Sequence, residues 1–501
     1  MGGGRHSMLI AREPVAPVTQ LGSALGVKLS GELTSLRDTE RAGAEGSLQT
    51  VTYVSPYPKD TRPNLKYVDV SSVLDQIEDE KESDLPEDIY SPRYLTLMGT
   101  SFAQQVLRHS SMRELMVNSS IEFDAVLVEW FYTGLFAPLA ALFECPLIWY
   151  APTGISSQSL SLVGHTPKLD DPSNSLAHRI HHMWFQIYFS VWNYLHISKI
   201  EIPAYEDYYG SAFKTRFRFL PTYEFAAANG SLLLLNSHPL LGAVVPLPGN
   251  VKFIGGHHIA EDVSPLPKDL KKVLDSSAGG VIYVNMESNL ISMDIQDQIT
   301  RELKEVFSDL EQTVIWKYGD ILVNLPHNVY TLKNPPQHSI LSHVNTIAFI
   351  NHGDMNSILD ATHFGVPMIT LPLLKDQADN VNIVVKRGCG VKMINKDLIS
   401  EVKKSVEAVL NNNSYQINAK QLSSIFHHRL APQQTEFIYL VEAVIRTNGA
   451  AHLRSSIPET PIIERYNVDI MSLILMIFWF LTKVAKVVKV HTSREDHEKE
   501  D

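Results

Sequence analysis

Residues 348–386 read AFINHGDMNSILDATHFGVPMITLPLLKDQADNVNIVVK, and this stretch constrains the fold more than any other. Ala348-Phe349-Ile350 is a short apolar run that stops at the polar, flexible Asn351-His352-Gly353. From Asn356 the pattern turns helical, with Ile358, Leu359 and Thr362 on one face. Gly365-Val366-Pro367 ends that helix, and Met368 to Leu371 reads as a second buried strand. Pro372 to Asp379 is expected to be a polar loop opening a further helix at Asn380 to Lys386. Strand, helix, strand, helix is the grammar of a parallel sheet. Ligands of such sheets bind at the carboxyl ends of the strands, where His352-Gly353 and Asp376-Gln377 both fall. Backbone N–H groups at the helix start after Gly353 suit a phosphate. An Asp-Gln pair both accepts and donates hydrogen bonds, as vicinal hydroxyls require.

A chain of 501 residues, 44 % hydrophobic, can bury two domain cores and still leave a tail. The net charge of −12, with no basic run in the body of the chain, argues against nucleic acid as a partner. Cys145 and Cys389 cannot make a disulfide framework. Sequons at Asn118, Asn229 and Asn412 permit a lumenal location. The histidine pairs His181-His182, His257-His258 and His427-His428 lack a third ligand at useful spacing and read as structural or surface residues. There is no Asp-x-Asp pair to hold a diphosphate-bound cation, so no metal is expected.

His352-Gly353 with Ser357, Gly365-Val366-Pro367, Pro372 and Asp376-Gln377 together resemble the signature of the UDP-glycosyltransferases. Within that family the chain is most similar to the animal membrane-bound UDP-glucuronosyl and UDP-glucosyltransferases. The resemblance covers roughly residues 49 to 490. It implies an α/β fold of the GT-B type: two Rossmann-like, doubly wound domains facing a cleft, followed by a C-terminal transmembrane helix. The implied layout is an atypical N-terminal segment (1–48), an acceptor-binding domain (49–262), a UDP-sugar-binding domain (263–450), a linker (451–467), a transmembrane helix (468–490) and a cytosolic tail (491–501).

The family begins with a cleaved signal, a first strand and a loop carrying a base histidine. Residues 1–50 are rich in Gly, Ser, Ala and Arg and have no apolar run of signal length, and no strand is expected before Gln49. Only His6 offers a histidine there. Phe123 to Trp130 reads as a buried strand ending in Glu129, at the position where the family holds the acid that pairs with its base histidine. Such a pair deprotonates an acceptor hydroxyl as it attacks the anomeric carbon. The alternative is a strand-end carboxylate facing water. The aromatic run His178 to Ile200 is read mainly as core.

The resemblance assigns UDP-sugar contacts to Ser288, Gln337, His352, Gly353, Asn356, Ser357, Asp360, Asp376 and Gln377. Several positions depart from the family pattern. Asn285 and Glu287 replace small residues, Asn334 stands where a Trp stacks on the uracil, Asp354 replaces a glycine, and Asp360 is one methylene shorter than the usual glutamate. Val468 to Leu481 is strongly apolar and ends in Lys483, Lys486 and Lys489. Extended to Val490 it reads as a single span, with an interfacial helix as the alternative. The resemblance then implies an endoplasmic-reticulum membrane protein with its bulk in the lumen. The expected reaction is metal-independent, inverting transfer of glucose or glucuronate from a UDP-sugar co-substrate, with no other cofactor, to a small lipophilic hydroxyl compound. The competing expectation is a catalytically impaired member acting as a membrane-bound binding or dimerising partner, as homo- or hetero-dimer.

Overall fold

The structure, a computed structural model, describes residues 6–10, 50–56, 65–73, 91–152, 154–164, 175–242, 247–286, 293–319, 322, 324–372, 375–393, 398–454, 472–473 and 475–486. The chain divides into two compact units, Met1–Arg454 and Ser455–Asp501.

The first unit holds two sheets. One contains β1 (His6–Ile10), β2 (Thr50–Ser55), β3 (Leu65–Asp69), β4 (Ala125–Glu129), β5 (Leu147–Ala151), β6 (Gly230–Leu235) and β7 (Val251–Phe253), in the order β3-β2-β1-β4-β5-β6-β7. The other contains β8 (Val281–Asn285), β9 (Thr313–Lys317), β10 (Val329–Leu332), β11 (Thr346–Asn351), β12 (Met368–Thr370) and β13 (Gly390–Lys392), in the order β10-β9-β8-β11-β12-β13. Every strand pair is parallel. Every residue of β4, AVLVE, and of β8, VIYVN, is buried. Parallel strands covered on both faces need such continuous apolar runs. The strand order reverses between β1 and β4 and again between β8 and β11, and the carboxyl ends beside those two points are where such sheets bind ligands.

Three expectations are corrected. A strand does precede Gln49: His6–Ile10 pairs with both β2 and β4 and fills the centre of the first sheet. A five-residue strand needs partners more than it needs a long apolar run, and two buried neighbours supply them. The helix after β12 begins at Lys375, not Asn380. The aromatics of the helix Leu176–His196 are not core: Trp184, Tyr188, Val191 and Tyr194 are exposed along one helical stripe. Among the described residues no helix is long and apolar enough to cross a membrane. Of the span expected at 468–490, residues 472–473 and 475–486 are helical. The others lie outside the described residues.

The helix Gln433–Arg446 crosses back as its sequence suggests. Its Phe437, Leu440, Val441 and Val444 join Val51, Ala125, Ile148 and Leu232 in one buried cluster on the first sheet. Nearby, Phe426 is flanked by two histidines, with ring centroids 4.9 Å away for His238 and 6.1 Å for His363. Burial, then the charge of Arg429, pushes His238 down to about 4. Burial, then His427, pushes His363 down to about 3. Both therefore fold in the neutral form, while the unfolded chain takes up protons near the ordinary histidine value of about 6.5. Their contribution to stability is complete above that value and is lost as pH falls toward the folded-state values. Denaturant titrations at stepped pH are expected to show stability falling below about pH 6.5, approaching ~1.4 kcal/mol per pH unit for each histidine. His363→Leu should remove one of the two contributions, and an unchanged slope in that variant would refute this account.

Candidate active site

The second sheet delivers its chemistry at the carboxyl ends of β8 and β11. β11 ends at Asn351, and the chain turns through Gly353 into the helix Met355–Phe364. Gly353 has φ +84°, and a Cβ there would lie 2.4 Å from Val381 Cγ2, so only glycine fits this turn. The Asn351 side-chain oxygen accepts from the Gly353 N–H at 2.8 Å. Gln377, in the first turn of the helix Lys375–Lys386, is buried, and its Cβ lies 3.7 Å from where that added Cβ would be. The structure thus brings His352-Gly353 and Gln377 together, as the strand–helix pattern requires. Asp376 shares that first turn, and its side chain lies outside the described residues, as do Glu287 and Ser288 entirely.

Asp354 caps the helix Met355–Phe364. One carboxylate oxygen accepts from the Ser357 N–H at 3.0 Å, and the other lies 3.2 Å from His352 Nε2. An aspartate N-cap is favourable in itself. Here it also occupies the Ser357 N–H and lies against His352, two groups that an anion at this helix start would use. Asn356 is engaged from the other sheet: its side-chain oxygen accepts from Asn236 Nδ2 at 2.7 Å, just past the end of β6. Ser357 is buried beneath it.

Asp360, one turn further along the helix, is the hub of a buried network. Its Oδ1 accepts from His258 Nε2 at 2.8 Å and from His338 Nε2 at 3.1 Å. Its Oδ2 accepts from Gln337 Nε2 at 2.7 Å. The Gln337 oxygen accepts in turn from the Tyr283 hydroxyl at 3.1 Å and from Asn285 Nδ2 at 3.0 Å. Burial works to raise the Asp360 carboxyl, but the imidazoles of His338 and His258 outweigh it and hold the group well below the ordinary carboxylate range. Sequence reasoning missed His258 and His338. The signal for His258 was its place two positions after Gly256, and that for His338 was its place directly after Gln337. Asn285, read as a misfit, orients Gln337. Asn334 is exposed.

Glu129 closes β4 at the carboxyl end of the first sheet and is buried, so it does not face water. It stands in register with Tyr150 on β5. Burial, and then the charge of Glu129, hold the Tyr150 phenol well above its ordinary range. The register of β1 decides the fate of His6. Ser7 pairs with Ala125, so His6 lies at the amino end of the sheet, ~16 Å from Glu129 at ~3.3 Å per residue. Ile10 pairs with Val128, next to Glu129, and the sequence between β1 and β2, residues 11–49, contains no histidine.

Two parallel, doubly wound sheets joined by a returning helix define the GT-B class. Solved glycosyltransferases share this fold. A UDP-glucosyltransferase from Polygonum tinctorium, in a complex with 3,4-dichloroaniline, superposes with TM-score 0.55 at 17 % identity, over 89 % of this chain and 99 % of its own. The calicheamicin glycosyltransferase CalG4 superposes with TM-score 0.54 at 16 % identity, over 88 % and 100 %. The sequence profile described as UDP-glucoronosyl and UDP-glucosyl transferase matches residues 39–495, and the chain belongs to that family of glycosyltransferases. Among curated relatives, UDP-glucosyltransferase 2 of Dactylopius coccus is 29 % identical over 458 residues, 87 % of this chain and 86 % of its own. UDP-glucuronosyltransferase 2B14 of Oryctolagus cuniculus is 28 % identical over 306 residues, 60 % and 56 %.

Proposed function

We propose that this protein transfers a hexosyl group, glucose or glucuronate, from a UDP-sugar to a small lipophilic hydroxyl compound, inverting the anomeric centre without a metal. The single observation that carries this reading is the convergence of Gln337, Asp360, His352, Ser357 and Gln377 at the carboxyl ends of the second sheet. In this reading Gln337 and Asp360 face the uridine, with Asp360 directed to the ribose hydroxyls. His352, Gly353, Asn356, Ser357 and Ser288 serve the diphosphate, and Asp376 and Gln377 hold the donor sugar. The acceptor oxygen forms its bond to the anomeric carbon while the bond to the UDP oxygen breaks. The acceptor proton passes to Glu129, and the charge left on UDP falls on His352 and the helix start.

A specific observation favours a second reading. The sequence between β1 and β2, residues 11–49, contains no histidine to serve as the family's base, and Asp354 already takes the Ser357 N–H and lies against His352. In that reading the chain is a binding or dimerising partner that does not catalyse. The deciding experiment titrates the purified full chain with UDP calorimetrically and then incubates it with labelled UDP-glucose or UDP-glucuronate and a panel of phenols. Transfer to any phenol supports the first reading. UDP binding without transfer favours the second. No binding at millimolar UDP by folded protein would sink the transferase reading.

A further inference from the structure

Ligand atoms from three separate parts of the chain converge at Asp360. His258 follows β7, His338 lies in the first turn of the helix Gln337–Leu341, and Asp360 lies in the helix Met355–Phe364. Their ligating atoms all lie within 4.8 Å of one another. Both imidazoles present Nε2 to the same carboxylate oxygen, at 2.8 and 3.1 Å, with ring centroids 6.1 Å apart. Two histidines and one carboxylate are the donor set of catalytic and regulatory zinc sites, with a fourth position left open. Ligand atoms around a four-coordinate ion at about 2.0–2.2 Å stand roughly 3.3–3.6 Å apart, so the two histidine–carboxylate contacts need to open by only about half an ångström.

The surroundings of Asp360 also match what a metal-ligating carboxylate requires. The second oxygen of Asp360 is held by Gln337 Nε2, and Gln337 is held at its other end by Tyr283 and Asn285. Such outer contacts orient the ligand carboxylate and keep one oxygen for the ion. The triad is closed on two sides and open on one: the side chains of His258 and Asp360 are 6 % and 3 % exposed, and that of His338 is 22 % exposed. An ion enters past His338.

We propose that His258, His338 and Asp360 form a binding site for a divalent transition ion of the zinc class. The ion takes Nε2 of each histidine and Oδ1 of Asp360 and leaves its fourth position to water. The binding itself does not depend on the transferase reading. Its consequence does: Asp360 is the residue directed there to the ribose, so an ion on Asp360 competes with UDP.

The test uses the full chain, stripped with a chelator, and Zn²⁺ as the probe. Calorimetry is expected to show one ion per chain, and Co²⁺ in its place is expected to give the visible absorption of a four-coordinate site. His338→Ala, at the rim of the triad, is expected to weaken Zn²⁺ binding about 100-fold or more. His427→Ala, which removes a histidine of the separate His363–His427 pair, is expected to leave it unchanged. Zn²⁺ affinity equal in His338→Ala and the unaltered chain, both shown folded by circular dichroism, would overturn the proposal. So would an absence of binding at micromolar ion by the folded chain. If Zn²⁺ binds through His338 yet leaves UDP affinity unchanged, the metal site stands and the ribose assignment of Asp360 falls.

Discussion

Replacing Asp354 by glycine is expected to tighten UDP binding by about 10- to 100-fold, equivalent to about 1.4–2.8 kcal/mol. The carboxylate already accepts from the Ser357 N–H and lies against His352 Nε2, the contacts that a diphosphate at this helix start would take. A bound diphosphate must displace it and then sit beside its charge. Like charges about 4 Å apart near a protein surface repel by roughly 4 kcal/mol, part of which the side chain avoids by turning away. Glycine is itself an acceptable N-cap, costing only a few tenths of a kcal/mol against aspartate, so the variant should fold. Calorimetry with UDP on both proteins is the measurement. Affinity equal to or weaker than that of the unaltered chain would show that Asp354 does not compete with phosphate.

Glu129→Gln is expected to lower transfer by about 10²- to 10⁴-fold while leaving UDP affinity as it was. Glutamine keeps the size of the side chain and removes its ability to take a proton. The size of the effect follows from the topology. The sequence between β1 and β2, residues 11–49, lacks histidine, and β1 carries His6 to the other end of the sheet from Glu129. The buried carboxylate is then the base assigned to the acceptor hydroxyl on the first sheet. Steady-state transfer and UDP titration on the same preparations separate the two effects. A rate unchanged in Glu129→Gln places the base elsewhere, and no transfer by the unaltered chain with UDP bound removes the catalytic role altogether.

Much of this architecture could be read directly from residue order. The strand–helix–strand–helix pattern of 348–386, with glycine at 353 and 365, announces a parallel sheet and its ligand-binding edge, because apolar periodicity and positive-φ turns are local properties. His352 and Gln377 were legible as candidate site residues by their place at a strand end and a helix start, whereas Gln337 and Asp360 were read only through the family resemblance. The first strand was not legible, because His6–Ile10 is short and preceded by a glycine run, and only its pairing with β2 and β4 makes it a strand. The exposed aromatic stripe of Leu176–His196 was misread for a related reason. Helical spacing tells which side chains share a face, and not what that face meets.

The sequence by itself determined the two-sheet class, the family and the edge where ligands belong, since each rests on local pattern and short-range motif. Only the tertiary structure decided which groups meet across that edge. His258, His338 and Asp360 lie 80 and 22 positions apart in the chain and within hydrogen-bond reach in space. Asp354 looks like an ordinary helix cap until His352 is placed against it. Electrostatic interactions depend on distance in space and on burial, and neither can be counted along a chain.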